Sequence, residues 1–109
     1  MSIRLPRPIA LYIAAENAGE TSSVDECFTA AAVVRDEGRT YRGLAAIREW
    51  KAETKRKYKH HVTPLELVER DGSTLLKARL EGDFPGSPVI LQFRFTLEGD
   101  RITVLEVGA

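Results

Sequence analysis

The chain has little of what marks most specialised sites. One cysteine, Cys27, stands alone in 109 residues, so there is no disulfide framework and no cysteine spacing for a metal. The only two histidines, His60 and His61, are adjacent, and adjacent residues on a strand point apart, which rules out metal-site spacing. Sixteen Lys and Arg balance sixteen Asp and Glu, and without a positive excess there is no field to hold nucleic acid or a membrane surface. The longest apolar runs, such as 9–15, fall far short of the roughly 20 residues that span a bilayer. The N-terminal stretch lacks the cleavage context of a secretory signal, so the default expectation is a cytoplasmic protein. No phosphate loop, Ser-His-Asp pattern, zinc motif or cofactor fingerprint occurs, and no metal or cofactor is expected.

What is there reads as an ordinary globular chain. Apolar residues make up 43% and charged residues 29%, which excludes disorder and fibrous folds. The length allows one core, so residues 1–109 are read as a single domain. Pro6 and Pro8 open a first helix that runs to about Asn17 and stops at Ala18-Gly19, with Ile9, Tyr12 and Ile13 on one stripe. Ser22 or Ser23 caps a short second helix through Phe28, which holds Cys27 as a small buried hydrophobe. Residues 32–36 read as a strand, and Gly38 turns into a second strand ending near Arg42. A third helix runs from Leu44 to about Lys59, with Leu44, Ile47, Trp50, Thr54 and Tyr58 as its buried stripe.

The remainder alternates with period two. Strands are expected over 62–69, 73–82, 89–97 and 102–107, joined by Asp71-Gly72, the loop 83–88 and Gly99-Asp100. Val89, Leu91, Phe93, Phe95 and Leu97 share one face of their strand. Three helices from the N-terminal half then cover one face of a mixed, mostly antiparallel sheet. The fold class is α+β, a sheet curled into a cone-shaped roll of the cystatin-like kind, with a hollow between sheet and helices.

In that order, YIAAENAGE, CFTAAAVVRDEG, YRGLAAIREW and LQFRFTLEGDRI resemble the nuclear transport factor 2-like superfamily. Within it they resemble the SnoaL-like and ketosteroid-isomerase-like branch. The resemblance covers nearly the whole chain. It implies a small hydrophobic ligand, and an isomerase, cyclase or dehydratase acting on a carbonyl compound; a non-catalytic binding or dimerisation module on the same fold is the alternative. It implies an aspartate base at Asp36 and an oxyanion-donating tyrosine at Tyr12. The position of a second donor, a protonated acid in the isomerase branch, is Leu91 here. Losing one such donor costs about a hundred- to a thousand-fold in rate, so the steroid isomerase reaction itself is disfavoured. Relatives pair through the outer sheet face, and a homodimer is expected through a face carrying Ile90, Thr96 and Leu105.

Each candidate also has a plainer reading. Asp36 shares a strand face with Val34; it is either a base whose carboxyl is desolvated in the hollow, or a turn opener accepting backbone N–H bonds. Tyr12 is either an oxyanion donor or a core tyrosine. Glu16, one turn further along on the same stripe, is either a second pocket carboxylate or, the reading preferred, a solvated residue at the helix end. Phe28, Trp50, Leu91 and Phe93 are placed as ligand-contacting walls, or else as plain core. Of the two histidines one points inward, and His61 is assigned to the ligand, against an exposed pair. The run Lys55-Arg56-Lys57-Tyr58-Lys59 sits where cations meet the negative end of a helix dipole, which accounts for it without nucleic acid. The loop 83–88 is either a lid or a wide turn fixed by two prolines.

Overall fold

The computed structural model describes residues 3–108. Pro6 leads into α1 (Arg7–Ala18), whose second residue, Pro8, supplies a preset φ where no intrahelical N–H bond is needed. Gly19, at φ 69°, ends it in the left-handed region. The N–H groups of Gly19 and Glu20 bond the Glu16 and Ala15 carbonyls, satisfying the last turn. α2 is a single turn (Val24–Cys27). Neither serine caps it through its side chain; the Ser22 and Ser23 hydroxyls turn back to the Glu20 carboxylate instead.

Phe28, expected to close α2, begins β1 (Phe28–Asp36), which starts four residues earlier than the expected 32–36. β2 (Arg39–Arg42) follows, then α3 (Leu44–Tyr58), then β3 (His61–Arg70), β4 (Ser73–Glu81), β5 (Val89–Glu98) and β6 (Arg101–Gly108). Glu37 and Gly38 both have positive φ, 53° and 75°, as do Asp71 and Gly72 at 50° and 78°. Two-residue loops of that handedness match the twist of the strands they join, which is why both places turn tightly.

The six strands form one sheet in the order β2-β1-β6-β5-β4-β3, with β1 parallel to β6 and every other pair antiparallel. The curled sheet wraps the helices, and Ile9, Tyr12, Phe28, Ile47, Leu76, Phe95, Ile102 and Leu105 fill the space between. Leu105 therefore does not belong to the outer face. β5 and β6 shift register between Thr96 and Leu97, so Thr96 faces Val104 while Leu97 faces Ile102. The extra residue reverses the parity beyond it, and Ile102 and Leu105 both point inward though three apart. Ile90 remains on the outside, 48% exposed.

α3 buries Ile47 and Trp50 as expected, and also Lys51, which a purely apolar stripe does not include. Leu44, Thr54 and Tyr58 are only half-buried. Among the described residues no helix is long and apolar enough to cross a membrane.

Candidate functional site

β1 delivers Asp36 to the inside. Its inward residues Ala32 and Val34 are fully buried, and the same parity carries the Asp36 side chain into the hollow at the last position before the turn. The hollow is a cavity of about 470 Å³. Asp36, Tyr12, Trp50, Leu91 and Phe93 all line it, together with Glu16 and His60. A cavity of this size takes a bicyclic or somewhat larger organic molecule.

Trp50 does not plug the cavity; it orients the carboxylate. Its indole Nε1–H donates to Asp36 Oδ2 at 3.0 Å. Burial pushes the Asp36 carboxyl above its ordinary value, and the nearby Glu37 and Glu16 charges add to that rise. The Trp50 hydrogen bond pulls the other way without reversing the direction. A carboxylate whose proton affinity is raised is a better base than an exposed aspartate and still binds through its second oxygen.

Tyr12 is 1% exposed, set edge-on to Phe28 and Phe95 at centroid distances of 5.9 and 5.8 Å. Burial first, then the Glu16 and Asp36 charges, holds its phenol well above the usual tyrosine range, so it stays a protonated donor. Its hydroxyl makes no side-chain hydrogen bond to the described residues, and its ring is part of the cavity wall. Phe28 sits behind Tyr12 in the core and is not part of that wall.

The histidine assignment is corrected by the strand's parity. His61 is exposed, whereas His60 is 4% exposed and lines the cavity. Lys59 adopts a left-handed conformation (φ 49°) after α3, and His60 then shares its side of the chain with buried Val62, two residues on. That parity with Val62 was the available signal.

Of the two readings of Glu16 the structure shows the pocket one: it lies buried in the cavity wall, not at a solvated helix end. Lys51 Nζ donates to its Oε1 at 2.8 Å, and His60 Nε2 lies 2.6 Å from its Oε2. Burial alone raises the Glu16 carboxyl, but the His60 and Lys51 contacts outweigh it and hold the group below its usual value. The Lys51 ammonium also lies 4.6 Å from the centre of the Tyr12 ring. Nothing in hydropathy patterning marks a buried lysine; only its partners explain it.

Glycine at 82 makes this end of the site possible. A Cβ there would meet the Tyr58 carbonyl oxygen at 2.6 Å and His60 Cα at 2.9 Å. The close approach lets the Asp83 N–H bond the Tyr58 carbonyl and brings the end of β4 over the residues that carry His60. At the mouth, Phe84 stands edge-on to Tyr58 at 5.7 Å, and the Tyr58 hydroxyl donates to Glu37 at 2.7 Å. The loop 83–88 thus supplies Phe84 and Pro85 to the cavity wall.

Residues 9–105 match the family model of the SnoaL-like domain. A crystal structure of a proposed polyketide cyclase from Sinorhizobium meliloti is 36% identical, with 94% of each chain covered and a TM-score of 0.90. A protein of ketosteroid isomerase-like fold from Catenulispora acidiphila, solved with trimethylamine, is 21% identical. That alignment covers 97% of this chain and 87% of the other, at a TM-score of 0.84. An epoxide hydrolase/cyclase-like enzyme of pyran ring formation in the polyether salinomycin is 20% identical over 93% and 86%, with a TM-score of 0.78. The last two are similar in fold alone. The comparison with curated proteins gave no match.

Proposed function

The chain belongs to the SnoaL-like family, and on that premise we propose that its cavity takes up a largely apolar carbonyl compound and that Asp36 withdraws a proton from the carbon beside the carbonyl. The observation that carries this reading is the Asp36 carboxylate itself, inside the cavity, desolvated and oriented by Trp50. Desolvation raises its proton affinity towards the operating range, and the indole fixes the carboxylate's orientation in the cavity. Tyr12, protonated and lining the same space, is the group that would donate to the oxygen of the resulting enolate. Return of the proton to another carbon gives isomerisation; attack of the enolate carbon on a second carbonyl of the same molecule, whose oxygen then takes the proton, gives cyclisation; expulsion of a hydroxyl from the β-carbon, which leaves with the proton as water, gives dehydration. The Sinorhizobium meliloti relative, a proposed polyketide cyclase, supports the cyclase member of that set.

One observation favours a second reading, binding without turnover. Leu91 lines the cavity where the isomerase branch has its second donor, so an enolate here has one side-chain donor. Exchange chemistry separates the two. With 1-tetralone and its hydroxy isomers in D2O, the protein is expected to speed deuterium uptake at the carbon next to the carbonyl. Asp36→Asn is expected to lose at least a hundred-fold of that rate while still shifting ligand resonances. Uptake no faster than with Asp36→Asn for every compound would sink the base role and leave the binding module.

The same reading includes a homodimer through the outer sheet face. Ile90, exposed on β5 opposite Arg79 of β4, is the side chain such a contact would cover. Sedimentation gives the answer directly.

A further inference from the structure

Two turns of this chain place two successive residues at positive φ, and they fill the first place differently. Asp71-Gly72 uses the ordinary choice, because aspartate tolerates the left-handed region. The turn between β1 and β2 holds Glu37-Gly38, with Glu37 at φ 53°. Left-handed backbone is uncommon for residues other than Gly, Asn and Asp, and nothing in the turn itself asks for a glutamate. Such an outlier at the edge of a site points to a use for its side chain.

That side chain meets the cavity. Glu37 is exposed and lines the mouth with Phe84, Pro85 and Val89. The Tyr58 hydroxyl holds its Oε1 at 2.7 Å; among the described residues its Oε2 has no hydrogen-bond partner. The charge of the wall is one-sided. It contains three carboxylates, Glu16, Asp36 and Glu37, and no lysine or arginine. Glu16 is engaged by Lys51 and His60. Asp36 and Glu37 accept hydrogen bonds from neutral groups only, the Trp50 indole and the Glu37 backbone for the first and the Tyr58 phenol for the second. Two cations stand outside the wall: Arg39, across the hairpin from Asp36, and Lys57, beside the Tyr58 ring. Both are exposed and make no ion pair with either carboxylate, so water screens them, whereas apolar walls concentrate the field of charges inside a cleft.

We propose that Glu37 is the charge-reading residue of the cavity mouth: it admits apolar ligands whose outer end is neutral or carries an amine cation, and it rejects those that end in a carboxylate. The inference rests on the cavity being a ligand site and does not depend on turnover. Glu37 is the specificity-determining residue, and Tyr58 is a positioning residue that holds its carboxylate at the rim. A unit charge about 7 Å from another, partly screened, changes affinity by about three- to tenfold in each direction.

The test compares 6-methyl-, 6-aminomethyl- and 6-carboxy-1-tetralone, in which the variable group lies across the ring system from the carbonyl. Dissociation constants at pH 7 and low salt are read from the Trp50 indole resonance. The amine is expected to bind at least about tenfold more tightly than the acid, with the methyl compound between them. Glu37→Gln keeps an acceptor for Tyr58 and removes the charge, and should shrink that ratio at least about fivefold; 0.5 M NaCl should shrink it in the unmutated protein. Glu37→Asn should shrink the ratio equally and hold or raise the melting temperature, because asparagine suits positive φ. An acid that binds as tightly as the amine, or a ratio unchanged within about twofold in Glu37→Gln, would overturn the proposal. A lowered melting temperature in Glu37→Asn at an unchanged ratio would assign Glu37 to the fold and overturn it too. Charge discrimination without deuterium exchange would leave this inference and remove the base role; exchange with equal affinities would do the reverse. Binding of none of the three would remove the ligand site and both readings with it.

Discussion

Two carboxylates share this cavity, Asp36 half-buried and Glu16 buried, and their surroundings push them in opposite directions. Asp36 is raised by burial, offset only in part by hydrogen bonds from the Trp50 indole and the Glu37 backbone; Glu16 is lowered because a lysine and an imidazole outweigh its burial. The difference assigns roles: the first is suited to take a proton, the second to remain charged. Glu16 therefore stabilises the fold in its ionised form. Its folded value lies below the ordinary one, so its contribution is complete above about pH 4.5 and is lost as pH falls through the folded value. Urea unfolding should show the gap between the unmutated protein and Glu16→Gln narrowing as pH drops below that point. Lys51→Met leaves the buried carboxylate with the imidazole alone and should cost about 3–5 kcal/mol at pH 7. The double substitution Lys51→Met, Glu16→Gln should recover part of that loss. A cost under 1 kcal/mol for Lys51→Met would mean that the ion pair is open to water.

At the scale of elements, parity did most of the work and its interruptions caused most of the errors. The inward face of β5 and the placing of Asp36 beside Val34 were legible because nothing breaks alternation there. Leu105 was misplaced because the β5–β6 register shift leaves no mark in the residues themselves. Lys51 was illegible because a buried charge is tolerated only by its tertiary partners, which no local pattern displays; the stripe of α1 offered Glu16 as a pocket carboxylate, but nothing local favoured that over a solvated helix end. Two substitutions check these placements by thermal or urea unfolding. Leu105→Ala should cost about 2–5 kcal/mol as a core truncation; a change within about 0.5 kcal/mol would return Leu105 to the outer face. Gly82→Ala should cost about 1–3 kcal/mol by forcing apart the end of β4 and the residues around His60. It should also shift the His60 resonances, while a silent substitution would show that this crossing is loose.

For the whole molecule, the cavity follows from how the sheet is closed. The parallel β1–β6 pair sets the first strand one place in from the sheet edge, so the strand bearing Asp36 lies beside the chain's last strand and under α3. A phenol from α1, a carboxylate from β1 and an indole from α3 thus meet in one cavity. The family resemblance pointed to Tyr12 and Asp36, which follow no local motif, whereas Trp50 was read from the buried stripe of α3. The chain's single tryptophan makes the convergence measurable. The Trp50 indole N–H bonds directly to Asp36, so its nitrogen and proton shifts follow the carboxyl as pH changes. Their titration midpoint is expected above the ordinary aspartate value of 3.8, with the curve flattened in Asp36→Asn. A midpoint at or below 3.8, or an unchanged curve in Asp36→Asn, would contradict a desolvated Asp36 base in the cavity.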